Sequence, residues 1–221
     1  ASRFYHAFTT RYNIYFNGKQ AFDEALKSQQ DGYKENYSDR IYMYPISAQP
    51  KDKAEPGGPF DRTIEKSNKA IKLHSIKAKP GWRNNPKLRA IQEQEEYNPF
   101  LKNSWLIMGQ AQFYNADFLQ ASATFSYIAR HYAKDEEVVA EARLWQARCY
   151  SEMGWFYESE DILDKMNKNG IPASALKQYA AVYADYLIKN GQFEDAIPYL
   201  KTAIKAEKNR KQRTRMKYLL G

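Results

Sequence analysis

Apolar positions recur at helical spacing in three stretches that can be laid over one another. From Trp105 to Tyr132 the order is Trp105, Met108, Gly109, Ala111, Phe118, Ala121, Phe125 and Ile128. From Arg143 to Lys168, Ala147, Cys149, Tyr150, Gly154, Phe156, Ser159, Leu163 and Met166 fill the corresponding places. From Ala180 to Glu207 they are Ala184, Leu187, Gly191, Phe193, Ala196, Leu200 and Ala203. Each stretch reads as a helix, a short turn and a second helix. The register residue moves from Gly109 to Ala147 to Ala184, steps of 38 and 37 residues.

Large and small residues in this order match the tetratricopeptide pattern, whose ideal period is ~34 residues, so the surplus is expected between repeats. Two antiparallel helices approach closely only where one face is small, here Gly109, Ala121, Ala147 and Ala184. A lone hairpin cannot bury its apolar face, so hairpins stack and a superhelix grows. The predicted fold is all-α, a right-handed α-solenoid of tetratricopeptide-like hairpins. Gly154 and Gly191 are expected to end the first helices of their pairs in the left-handed region.

Before Asn98 the pattern is less regular. Phe4, Tyr5, Phe8, Tyr12, Tyr15 and Phe16 have the spacing of an inward helical face, Asn17-Gly18 reads as a break, and Ala21, Phe22, Ala25 and Leu26 open a second helix to about Asn36. That makes a degenerate hairpin within residues 1–97. From Tyr37 to Pro59, prolines and Gly57-Gly58 forbid a continuous helix, and alternation at Tyr42, Tyr44 and Ile46 predicts an extended strap across a neighbouring surface. Asp61 is placed to cap a helix continuing through Ile76 until Lys79-Pro80-Gly81, and a short helix is expected from Pro86 to Tyr97. Residues 98–221 hold the clear repeats, in one continuous solenoid with the first part. The run Lys217 to Gly221 reads as the opening of a further first helix, which makes a longer parent protein the expectation.

The chain has 221 residues and a net charge of +8, but the charge is localised. Lys201, Lys205, Lys208, Arg210, Lys211, Arg213, Arg215 and Lys217 face one acid, Glu207, so this segment carries +7 and the rest is nearly balanced. Binding of an anionic surface, lipid headgroups or nucleic acid, through this segment is the runner-up function; aromatic interleaving is thin there, which counts against nucleic acid. No stretch approaches the ~20 apolar residues of a membrane span. Cys149, the single cysteine, excludes a disulfide framework and occupies a small-residue packing position.

Catalytic constellations are missing. His6, His74 and His131 fall on separate predicted helices, and no zinc, phosphate-loop or nucleophile-elbow motif occurs. Neither metal nor cofactor is expected. His131 beside Asp135 and Glu136 reads as solvated, and a carboxylate hydrolase would have to use Glu93, Glu95 and Glu96, the densest acids, or paired acids in the groove. Binding is the better reading. First helices line the concave side of such a solenoid, which points Asn103, Gln110, Tyr114, Glu141, Arg148, Glu152, Gln178, Asp185 and Lys189 into a groove suited to a peptide or a protein surface.

The segments SRFYHAFTTRYNIYFNG (2–18), AIKLHSI (70–76), EYNPFLKNSWLIMGQAQFYNADFLQASATFSYIARHY (96–132) and EARLWQARCY (141–150) resemble the amino-terminal half of the SprE/PorW-type tetratricopeptide lipoproteins of Bacteroidetes. The likeness runs from Ser2 to Gly221. It implies an outer-membrane lipoprotein facing the periplasm, anchored by a lipid-bearing cysteine upstream of Ala1. It also implies a non-catalytic scaffold of type IX secretion or gliding motility, with other envelope proteins as partners.

Overall fold

A computed structural model describes residues 2–36, 38, 41–49, 57–79, 81, 89 and 93–221. Among them no strand occurs. The helices are α1 (Arg3–Thr9), a π-helical stretch (Thr10–Tyr15), α2 (Phe16–Gly32), a 3-10 turn (Pro45–Ala48), α3 (Asp61–His74), α4 (Leu101–Tyr114), α5 (Phe118–His131), α6 (Glu136–Met153), α7 (Phe156–Asn169), α8 (Leu176–Lys189), α9 (Phe193–Ala206) and α10 (Arg210–Leu220). Each helix from α2 onward packs on its successor, and α6 also packs on α4 and α8, the order of stacked hairpins in an all-α solenoid.

The three repeats are α4/α5, α6/α7 and α8/α9. Asp117 and Asp135 cap α5 and α6, accepting from the Gln120 and Val138 amides. Gly154 ends α6 at φ 75° and Gly191 follows α8 at φ 80°, both in the left-handed region where a Cβ is strained. Ala121, Ala147 and Ala184 are wholly buried, as are Phe125 and Leu163. A Cβ on Gly109 would stand 2.6 Å from Cζ of Phe125, so this glycine sets the closest approach of α4 and α5.

The first hairpin differs from the expectation. The chain runs helically from Arg3 to Gly32 straight through Asn17-Gly18. Gly18 is buried beside Lys66, 3.3 Å from where its Cβ would be, and its carbonyl accepts from Thr63 Oγ1 at 3.0 Å. The glycine therefore permits close packing of α2 on α3 instead of ending a helix. The wider π-helical turns carry the register around, so Thr10 and Ile14 face inward while Phe4, Tyr5, Phe8, Tyr12 and Phe16 are exposed. The hairpin is thus one long helix against α3.

Helix α3 also starts and stops differently. Phe60 holds the N-cap position, and the Asp61 carboxylate reaches back to the Gly58 amide and across to Asn115 Nδ2, both at 2.9 Å. The helix ends at His74, short of Lys79, because Glu96 captures the Ile76 amide at 2.8 Å while the Asn98 side chain caps the His74 carbonyl at 2.9 Å. The helix expected from Pro86 to Tyr97 lies mostly outside the described residues, and residues 93–97 hold a turn at Glu93, a bend at Glu95 and no helix.

His6 and His74 bind α1 to α3 through Nδ1 atoms 3.0 Å apart, which requires one ring to donate and the other to accept. Tyr5 from α1, Lys66 and Lys69 from α3, and Glu96 beside Ser75 complete the titratable surroundings. Burial, then His6, lowers the His74 pKa below 6.5. The unfolded chain takes up this proton first, so the stability contributed is full above about pH 6.5 and falls as the solution is acidified. Thermal melts between about pH 7 and pH 5 should show a decline that is shallower in His6→Gln; equal slopes would refute the coupling.

Candidate functional site

The face built by the first helices α4, α6 and α8 is covered by the protein's own chain. Ile41 to Gln49 crosses it without regular strand, bending at Met43–Tyr44 before one 3-10 turn at Pro45–Ala48; Tyr37, Asp39, Arg40 and residues 50–56 of the expected strap lie outside the described residues. Met43 enters the core shared by α6, α7, α8 and α9, and Ile46 enters the core of α4, α5 and α6. Gln212 of α10 donates to the Met43 carbonyl at 2.6 Å.

Beneath the strap lies a buried ionic cluster. The Arg148 guanidinium sits 4.5, 4.7 and 4.4 Å from the ring centroids of Tyr44, Phe113 and Trp145, a cation enclosed by aromatic faces. Its Nε and Nη2 find no acceptor among the described residues. Glu152 Oε1 accepts from Ser47 Oγ at 2.8 Å and from Lys189 Nζ at 2.7 Å, and Lys189 also donates to Asp185 Oδ2 at 2.5 Å. Burial lifts the Asp185 carboxyl above the usual range against the pull of Lys189. Burial likewise disfavours the Lys189 ammonium, but Asp185 and Glu152 outweigh it and hold its pKa above the ordinary lysine value. Two cations and two anions thus neutralise one another out of water.

Of the residues assigned to the groove, Arg148, Glu152, Asp185 and Lys189 form this cluster. Tyr114 packs edge-on against Phe22 of α2, and its carbonyl accepts from Gln29 at 3.1 Å, so α2 covers that end of the face. Gln110 reaches Glu141 at 3.4 Å, Asn103 donates to the Phe100 carbonyl at 3.2 Å, and Gln178 is half-buried at the start of α8. Sequence reasoning missed Ser47 and Gln212 as fixing points. The alternation at Tyr42, Tyr44 and Ile46 was the available signal for a surface-bound strap.

The basic segment is partly engaged inside the molecule. Lys211 pairs with Asp31 at 3.2 Å, Arg215 pairs with Glu35 and lies 5.4 Å from the Tyr33 ring, and Arg213 donates to the Glu207 carbonyl at 2.8 Å. Lys201, Lys205, Lys208, Arg210, Lys211 and Lys217 are exposed.

The three clustered glutamates have separate structural partners. Glu93 pairs with Lys134 at 2.7 Å, Glu95 with His131 at 2.9 Å, and Glu96, 4% exposed, binds the Ile76 and Asn98 amides. His131 Nδ1 therefore meets the Glu95 carboxylate and is not merely solvated. Burial raises the Cys149 thiol far above its ordinary pKa, consistent with a packing role. Among the described residues no group of three metal-ligating side chains occurs, and no helix is long and apolar enough to cross a membrane. No protein-family model and no curated protein matches the chain.

Proposed function

We propose that the protein is a non-catalytic scaffold that binds other proteins of the bacterial cell envelope. On the SprE/PorW-type resemblance, it is an outer-membrane lipoprotein on the periplasmic side that assists type IX secretion or gliding. The observation that carries the binding reading is that a face of the solenoid already holds a loop segment of polypeptide, the strap. Its ring-on-guanidinium and hydroxyl-to-carboxylate contacts are chemistry that a foreign chain also offers. Binding an anionic surface through Lys201–Lys217 is the second reading, favoured by six exposed cations but weakened by the surface pair of Lys211 with Asp31 and the internal contacts of Arg213 and Arg215.

Photo-crosslinkers at Asn103 and Gln178, in the first turns of α4 and α8, should yield adducts of defined mass with envelope proteins in native membranes. A crosslinker at the exposed Leu119 of α5 serves as the comparison. Absence of any adduct from all three positions overturns the scaffold reading.

A further inference from the structure

The long first helix turns five aromatic rings away from the core that it helps to build. Phe4 is 76% exposed and Phe16 61%, with Phe8 and Tyr12 between them; Phe4 and Phe8 centroids lie 5.9 Å apart, and Phe8 and Tyr12 4.8 Å. Exposure here does not come from a loose end. Arg3 Nε donates to the Tyr97 carbonyl at 2.6 Å, His6 meets His74, and Thr10 Oγ1 accepts from Asn98 Nδ2 at 3.1 Å, so the helix is tied down along its inner side. A fixed row of rings in water is costly unless something covers it.

Charge says what. Residues 2–22 contain Arg3, Arg11 and Lys19 and no acid, although Lys19 is paired with Asp23 one turn on. A cleft of about 390 Å³ opens between this helix and α3, and its polar lining is cationic or neutral: Lys66, Lys69, His6, Asn13 and Asn17, with Tyr5 and Leu73 as apolar neighbours. No carboxylate lines it. Basic side chains interleaved with aromatic ones on a helix lying flat suit the headgroup level of a membrane, where rings enter the interface and ammonium groups meet phosphate. A symmetric second copy fits less well, because it would set the same cations against one another.

We infer that this N-terminal face docks on an anionic phospholipid bilayer, with the cleft taking a headgroup phosphate and the row of Phe4, Phe8 and Tyr12 entering the interface. The inference is independent of the scaffold reading and of any lipid anchor, since it rests on the folded surface alone. It places membrane contact at the end of the molecule opposite the basic segment in sequence.

Flotation of the 221-residue chain with mixed phosphatidylglycerol–phosphatidylcholine vesicles, against phosphatidylcholine alone, tests it. The chain should float with the mixed vesicles only. Lys66→Gln/Lys69→Gln should weaken binding roughly 30-fold, at about fivefold per lysine, and Phe4→Ser/Phe8→Ser should abolish it, with circular dichroism unchanged. Excess inorganic phosphate at constant ionic strength should compete poorly. Full competition would mean a free-phosphate site and would overturn bilayer docking. So would absence of flotation, indifference to both variants, loss of binding in Lys201→Gln/Lys205→Gln instead, or a dimer in sedimentation that Phe4→Ser/Phe8→Ser dissociates.

Discussion

Phe125→Ala is expected to lower the unfolding free energy by about 3–5 kcal/mol, and Gly109→Ala, on the other side of the same contact, by about 1–3 kcal/mol. The ring is wholly buried and stacks on Trp145 with centroids 5.8 Å apart, so its removal leaves a cavity that α4 and α6 cannot close without breaking their own packing. The glycine change runs against local propensity, for alanine in a helix interior is favoured by about 1 kcal/mol. The added methyl nevertheless falls 2.6 Å from Cζ and 2.7 Å from Cε1 of a wholly buried ring stacked on Trp145, and the clash is expected to outweigh the propensity gain. The pair should be coupled: with the ring gone the methyl has space, so the double variant should cost less than the sum of the single ones. Urea unfolding of the four proteins measures this. Additive costs, or a stabilising Gly109→Ala, would show that the small-residue contact does not hold the hairpin together.

The repeats were legible because their physics is local and redundant. Small residues at Gly109, Ala147 and Ala184, large ones at Phe125, Leu163 and Leu200, and turns at Gly154 and Gly191 all demand the same hairpin. Three copies in phase left little room for another periodic reading. The N-terminal helix was misread because two cues had a second physical meaning. Asn17-Gly18 is ordinarily a break, yet here the missing Cβ lets α2 touch Lys66; aromatic spacing ordinarily marks a core face, yet here the π-helical stretch turns Thr10 and Ile14 inward.

The site was half legible. Periodicity picked out Arg148, Glu152, Asp185 and Lys189 as one stripe across neighbouring first helices, and they do meet. What covers them could not be read locally, since Ser47 and Glu152 are separated by 105 residues in sequence. Charged side chains on a solenoid face look the same whether they await water, a partner or a distant part of their own chain. The acids at Glu93, Glu95 and Glu96 carry the same lesson: adjacent in sequence, they serve Lys134, His131 and the backbone amides after α3.

Lys189→Met should be among the most damaging single changes on the molecule, at about 3–5 kcal/mol. The ammonium is shared by Glu152 and Asp185, whose side chains are 1% and 2% exposed. Without it two carboxylates remain buried near each other, with Arg148 as the nearby counter-charge. Methionine supplies similar volume, so the loss reports charge and not a cavity. Asp185, already raised by burial, would then hold its proton still more tightly in the folded than in the unfolded chain, and such a group adds stability as pH falls through its raised folded-state pKa. The deficit relative to the parent protein should therefore shrink from neutral pH toward the carboxylate range, and Lys189→Met/Asp185→Asn should recover part of it at neutral pH. Because Ser47 shares the Glu152 oxygen with Lys189, amide hydrogen exchange around Ile46 to Ala48 should quicken in Lys189→Met. A deficit that is small, insensitive to pH and silent in the strap would mean that the buried charges are not what fastens it to the solenoid.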